Sequence, residues 1–281
     1  MASNPSFSER TAMILGPDRV ADLAKRRVCV FGLGGVGAAC AVDLVRSGVG
    51  TIVACDFDEV SETNLNRLAF GLRSYLGLPK TRAFGLFARD INPQVIVEER
   101  ELFISGENAS ASVPPDCDFY VDCIDSLNPK VRLLAQFVSA GLPFISSMGM
   151  GGRLDPSRVK LGNLWQTHHC SLARSVRGRL RKAGVPLDAP IPCVWSDEES
   201  LPPGDFDPPR AGLGGRPRRR IASAPFVPQT AGHFLAYYVV ASLIKALPGR
   251  PGVSAPTGAV LKDTFPKAPV PPGERSRSAE K

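Results

Sequence analysis

The chain has 281 residues, 43% of them hydrophobic, which is enough for one main α/β domain with a sizeable core. Its seven cysteines are an odd number with no CxxC pair, so neither a disulfide framework nor a four-cysteine zinc site follows, and no structural zinc is expected. The net charge of +7, with basic residues concentrated in the second half, favours a polyanionic partner such as RNA.

Residues 1–25 read as a polar N-terminal arm with one short helix, and Met1 to Arg10 is too short and polar for a secretory signal. The main domain, 26–248, opens with RVCVF (Arg27 to Phe31), an apolar run that predicts a buried strand. GLGGVG (Gly32 to Gly37) then supplies a tight turn, and AACAVDLVRSG has apolar positions at helical spacing. A second strand, TIVACDFD, ends in Asp56 and Asp58, and a loop carrying Asn64 and Arg67 leads to a helix from about Lys80 to Asn92. Strands VIVEE and DFYVDCI, a helix from about Asn128 to Ala140 and strand LPFISS complete the alternation, with NPQ and GLP as helix stops. This order predicts a Rossmann-like α/β fold, a mostly parallel sheet with helices on both faces.

A smaller C-terminal extension follows. MGMGGRLDPSRVKLGNL suggests two short strands, and CSLARSVRGRLRKAG a basic helix with Arg174, Arg177, Arg179, Arg181 and Lys182. Proline, glycine and charge from Gly184 to Arg220 predict a mobile surface loop. Ala231 to Leu247 is apolar and near the lower limit of a membrane span, but it contains His233 and Lys245 and reads as a core helix, with membrane association the less favoured reading. The tail, 249–281, is rich in proline, serine and charge and is expected to be disordered. Cys29 and Cys55 fall in core strands as small apolar groups, which fits a reducing cytoplasmic location, with mitochondrial association left open.

Strand, glycine turn and helix in this order form a site where close backbone approach and unpaired helix N–H groups meet a phosphate. By itself the pattern fits NAD, FAD or ATP. The carboxylates of Asp56 and Asp58 end one strand, and those of Asp122 and Asp125 end another, where open α/β sheets bind ligands. Asn64 and Arg67, three apart, share a face if their turn is helical. With ATP on the loop, Arg67 and Lys80 can neutralise phosphates and Asp125 can hold Mg²⁺ against them.

Taken together, GLGGVG, DFDEVSETNLNR, GLPK and CIDS resemble the ubiquitin-activating-enzyme-like, ThiF-type adenylyltransferases. That resemblance implies an ATP cradle at Gly32, Gly34, Gly35 and Gly37 with Asp56 and Asp58 beside it. It implies further that Asp56 binds the ribose, that Asn64, Arg67 and Lys80 handle the phosphates, and that Asp125 binds the metal. It also implies a homodimer in which Arg10 reaches the other subunit's ATP. In the second half, GMGGRLDPSRVKLGNLWQT, SVRGRLRKAGV, IPCVWSDE and SAPFVPQTAGHFLA are similar to the tRNA threonylcarbamoyladenosine dehydratase branch. That branch implies ATP-driven activation of the threonyl carboxylate beside the anticodon, ring closure, and tRNA phosphates on the basic helix.

Two segments depart from the branch pattern: His168, His169 and Cys170, and the loop from Gly184 to Arg220. Three adjacent residues cannot all face one ion, so HHC reads as structural or surface, and Cys193 reads as a core or loop thiol. The competing functions are an adenylyltransferase for the C-terminus of a ubiquitin-like or sulfur-carrier protein, a nicotinamide-dependent oxidoreductase, and an inactive scaffold.

Overall fold

The computed structural model describes residues 7–202, 204–205 and 221–244. Two short helices, α1 (Glu9–Leu15) and α2 (Pro17–Leu23), stand where one was expected. Gly16 at φ 95° breaks the run, and Pro17 starts the second helix with its φ already set. The central elements are β1 (Arg27–Phe31), α3 (Gly35–Arg46), β2 (Thr51–Asp56), α4 (Lys80–Ile91), β3 (Ile96–Glu101), β4 (Phe119–Asp122), α5 (Leu127–Ser139) and β5 (Phe144–Ser147). After them come β6 (Val159–Asn163), α6 (Ser171–Lys182), β7 (Pro192–Ser196) and α7 (Phe226–Ile244).

All seven strands form one sheet in the order β3-β2-β1-β4-β5-β7-β6, parallel throughout except that β6 runs antiparallel to β7. Side chains alternate across the strands and so build two cores. Val28, Val30, Ile52, Ala54 and Val121 pack with α3, α4 and α7 on one face. Cys29, Phe31, Val53, Cys55 and Tyr120 pack with α5 and α6 on the other. The sheet is therefore covered on both sides, as parallel strands require.

Two expectations for the extension need correction. The stretch from Met148 to Asn163 holds one strand, β6, because its glycine-rich first half is a loop whose carbonyls bond to Arg153. The segment after Gly184 is not loop throughout: Ile191 and Cys193 to Trp195 are buried, and β7 lies between β5 and β6. Its five residues are too short to stand out among flanking prolines. Positions 206–220 and the tail 249–281 lie outside the described residues. The apolar segment from Ala231 is a core helix, α7, with Val227, Ala231, Leu235 and Val239 buried. Among the described residues no helix is long and apolar enough to cross a membrane.

Candidate active site

Going from β1 the chain builds outward to β2 and β3, then returns to place β4 on β1's other side. The connections leaving β1 and β4 thus diverge, opening a crevice at their carboxyl ends, which is where open α/β sheets bind ligands. The glycine turn leaves β1 and the Cys123–Ser126 loop leaves β4, and the two backbones touch. A Cβ at Gly32, whose φ is +88°, would lie 3.0 Å from the Cys123 carbonyl oxygen, and one at Gly37 would lie 1.8 Å from the Gly32 carbonyl oxygen. Gly34 differs from both, since a Cβ there would meet no protein atom within 4 Å. That open side lies at the start of α3, where the first N–H groups of a helix have no intrahelical partner.

The acidic end of β2 locks this turn. Asp56 is nearly buried; its Oδ2 accepts from the Leu33 N–H at 2.6 Å and its Oδ1 from the Asp58 N–H at 2.8 Å. Each oxygen keeps capacity for a second donor such as a ribose hydroxyl. Lys80 begins α4, is also nearly buried, and donates from Nζ to Asp58 Oδ2 at 3.0 Å with Asp56 Oδ1 at 3.8 Å.

Arg67 lies over the start of α3: a Cβ at Gly35 would touch its Cγ and Cδ at 3.2 and 3.3 Å. Its guanidinium donates to the Thr63 carbonyl and to Asn66 Oδ1, both neutral, and burial lowers its pKa. Asn64 uses Oδ1 to accept from the Ser61 N–H at 3.4 Å, which stabilises the 3₁₀ turn Glu62–Asn64, and its carbonyl accepts from the Arg67 N–H at 3.0 Å. Asp125 is exposed on the β4–α5 loop, where the Ser126 hydroxyl donates to it at 3.3 Å. Arg10 is exposed on α1, a helix that buries none of its residues. The structure brings Gly32 to Gly37, Asp56, Asp58, Arg67 and Lys80 together around the turn, and the β4 loop with Asp125 borders it.

Sequence reasoning missed three residues that organise the surroundings. Lys130, fully buried in α5, bonds to Asp122, Ser146 and Ser147. Arg153 ties together the loops after β5 and β7 and the segment before α6, donating to the carbonyls of Gly149, Glu198 and His169. Asp197, at the end of β7, pairs with Lys160 and Arg158, which hold its carboxyl down at about 2. Each is one charged residue beside a strand end, a position that only the strand order reveals.

His168 is 3.7 Å from Asp197 and packs edge-on against Trp195, His169 faces Glu199, and Cys170 is buried at the start of α6 with Sγ accepting from the Ala173 N–H. The two histidine rings meet edge to face with centroids 5.3 Å apart, while Cys170 turns into the core. Among the described residues no group of three or more His, Cys, Asp or Glu side chains converges as a metal site. Cys193 is fully buried, and burial pushes its thiol well above the ordinary range, which unsuits it as a nucleophile.

On α6 the basic residues divide. Arg177 turns inward and donates to the Thr167 and Leu164 carbonyls, whereas Arg174, Arg179, Arg181 and Lys182 are exposed. Arg181 lies over the Trp165 ring at 5.7 Å, and Arg179 bonds Asn128, three positions after Asp125. The positive face of α6 therefore adjoins the loop that carries Asp125.

The ThiF family model matches residues 8–261. A tRNA threonylcarbamoyladenosine dehydratase of Bacillus subtilis is 31% identical over 84% of this chain and 94% of its own length. That of Escherichia coli is 32% identical over 69% of this chain and 74% of its own length. The crystal structure of the E. coli tRNA N6-threonylcarbamoyladenosine dehydratase TcdA in complex with ATP superposes with a TM-score of 0.74 at 28% identity, covering 84% of this chain and 93% of that one. The E. coli protein MccB, at 18% identity and a TM-score of 0.61, shares the fold.

Proposed function

The chain belongs to the ThiF family, and from that membership we propose that it is an ATP-dependent tRNA threonylcarbamoyladenosine dehydratase. The observation that carries the reading is the glycine turn at the β1/β4 divergence, with Arg67 over Gly35 and Lys80 on the carboxylates of Asp56 and Asp58, in a chain similar over 84% of its length to that dehydratase.

The reaction follows from the chemistry of the substrate. A threonyl carboxylate oxygen bonds to the α-phosphorus of ATP while the bond to the bridging oxygen breaks and pyrophosphate leaves. The carbamoyl group of the same modified adenosine then attacks the activated carbonyl, AMP departs, and the base has lost one water. Both groups belong to one nucleoside, so the closure gains the effective molarity of an intramolecular step and needs no protein nucleophile.

In this scheme the Gly34–Gly37 turn and the amides that begin α3 receive the phosphates. Asp56 holds the ribose beside the neighbouring Asp58, and Asn64 maintains the turn that aims Arg67. Arg67 and Lys80 offset charge on the leaving pyrophosphate, Lys80 by exchanging its bond to Asp58 for one to phosphate. A Mg²⁺ carried on the phosphates needs one or two protein carboxylates and keeps several waters, which suits the exposed Asp125. It would screen the phosphates against the incoming carboxylate.

Residues 26–248 form the catalytic unit in this reading, with 1–25 as an arm, and the protein acts in the cytoplasm without structural zinc. A homodimer is supported by α1, where Met13 and Ile14 are 70% and 75% exposed, and Arg10 on that helix would reach a second copy's ATP. The exposed face of α6 receives the tRNA backbone. ATP–pyrophosphate exchange tests the acceptor: tRNA bearing threonylcarbamoyladenosine should drive it. Exchange driven instead by a carrier protein with a C-terminal glycine would overturn the reading.

A further inference from the structure

Lys130 and Asp122 are both completely shielded from solvent, beneath the β4 loop. The three protons of the Lys130 ammonium have three acceptors: Asp122 Oδ2 at 2.5 Å, Ser146 Oγ at 3.1 Å and the Ser147 carbonyl at 2.9 Å. The Ser146 hydroxyl in turn donates to Asp122 Oδ2 at 2.6 Å, and Asp122 Oδ1 accepts from the Ile124 N–H at 3.1 Å. One cation thus joins the first turn of α5, the ends of β4 and β5 and, through Asp122, the backbone next to Asp125.

Stability alone does not account for the arrangement. Desolvating two charges costs about as much as their attraction returns, and an apolar pair of similar volume usually serves as well. A positive charge in the first turn of a helix also opposes the helix dipole. What the pair adds is direction, because a carboxylate held from two sides can fix the N–H of Ile124 and so the path of the loop.

We propose that Lys130 is a positioning residue: its clamp on Asp122 across β4 and β5 fixes the Cys123–Ser126 loop and holds the Asp125 carboxylate where adenylation needs it. The proposal rests on the reading of Asp125 as the carboxylate on the phosphate side.

The test compares the full-length wild type with Lys130→Arg and with the double variant Lys130→Met/Asp122→Asn, which removes both charges and leaves no unpaired ion. Lys130→Arg keeps the charge but cannot place three bonds in the same geometry. Hydrogen exchange of the folded proteins should be roughly tenfold faster in peptides spanning Cys123–Ser126, with the core strands β1 and β2 unchanged. The kcat of adenylate formation should fall about ten- to a hundredfold while KM for ATP moves less than about threefold, and in an Asp125→Asn background the further fall should shrink to less than about threefold. Unchanged loop exchange, or losses that multiply in the Asp125→Asn background, would overturn the proposal. An Asp125→Asn enzyme with wild-type kcat would instead overturn the reading of Asp125, while the exchange data still decide whether Lys130 holds the loop.

Discussion

Alanine at Gly37 and at Gly34 should separate the two duties of the glycine turn, shape and ligand contact. A Cβ on Gly37 would stand 1.8 Å from the Gly32 carbonyl oxygen, where ordinary contact begins near 3.4 Å, so the start of α3 must retreat by about 1.6 Å. Both groups are backbone, so no side chain can swing aside, and the upper part of the usual 1–3 kcal/mol overpacking range applies. Against it stands the roughly 0.5–1 kcal/mol that alanine gains over glycine inside a helix. The net loss of about 2 kcal/mol corresponds to a Tm lower by roughly 4–8 °C for a domain of this size. Gly34, at φ −74° and ψ −165°, has backbone angles open to any residue and no neighbour within 4 Å of the added carbon. Gly34→Ala should therefore unfold within about 1 °C of wild type, yet bind ATP at least about tenfold more weakly, since the methyl group enters the space reserved for phosphate. Thermal unfolding followed by circular dichroism and ATP titration calorimetry read the two effects. Wild-type Tm in Gly37→Ala, or wild-type ATP affinity in Gly34→Ala, would refute this account of the turn.

Lys80→Ala and Asp125→Ala should each lower AMP formation by about 10²–10³-fold, the usual cost of losing one group that stabilises developing charge, measured as tRNA-dependent turnover of purified protein. Arg174→Ala and Arg181→Ala should weaken tRNA binding and each reduce the slope of log K against log salt by about 1, whereas Arg177→Ala, which removes the donor to the Thr167 carbonyl, should lower Tm without changing that slope. Lys160 first, then Arg158, depress Asp197 from 3.8 to about 2, so its contribution to stability is present above pH about 4 and disappears as pH falls through about 2. Denaturant unfolding should accordingly find Asp197→Asn less stable than wild type at pH 7, with the difference closing as pH approaches 2; a difference that grew on acidification would contradict the pairing.

Strand limits from β1 to β5 were legible to within two residues because central strands of a parallel sheet, buried on both faces, leave apolar runs such as VCVF in β1 and FYV in β4. The glycine turn, Asp56, Asp58 and Lys80 were legible for the same reason, since they sit at strand or helix ends that the pattern itself defines. The strand β7 was not, because its burial depends on neighbours β5 and β6, which the local sequence PCVWS does not name. Lys130 and Arg153 were missed for an equally non-local cause, as their partners lie on strands and loops many positions away. Arg177 was grouped with the other basic residues of α6, and only the carbonyls of Leu164 and Thr167 beneath it separate its task from theirs.

Mass spectrometry of nucleosides from threonylcarbamoyladenosine-bearing tRNA incubated with the purified protein and ATP tests the central claim most directly. The account predicts conversion of the modified adenosine to a product lighter by one water, with AMP formed in equal amount. An unchanged nucleoside, alongside ATP-dependent adenylation of a carrier protein's C-terminus by the same preparation, would contradict it.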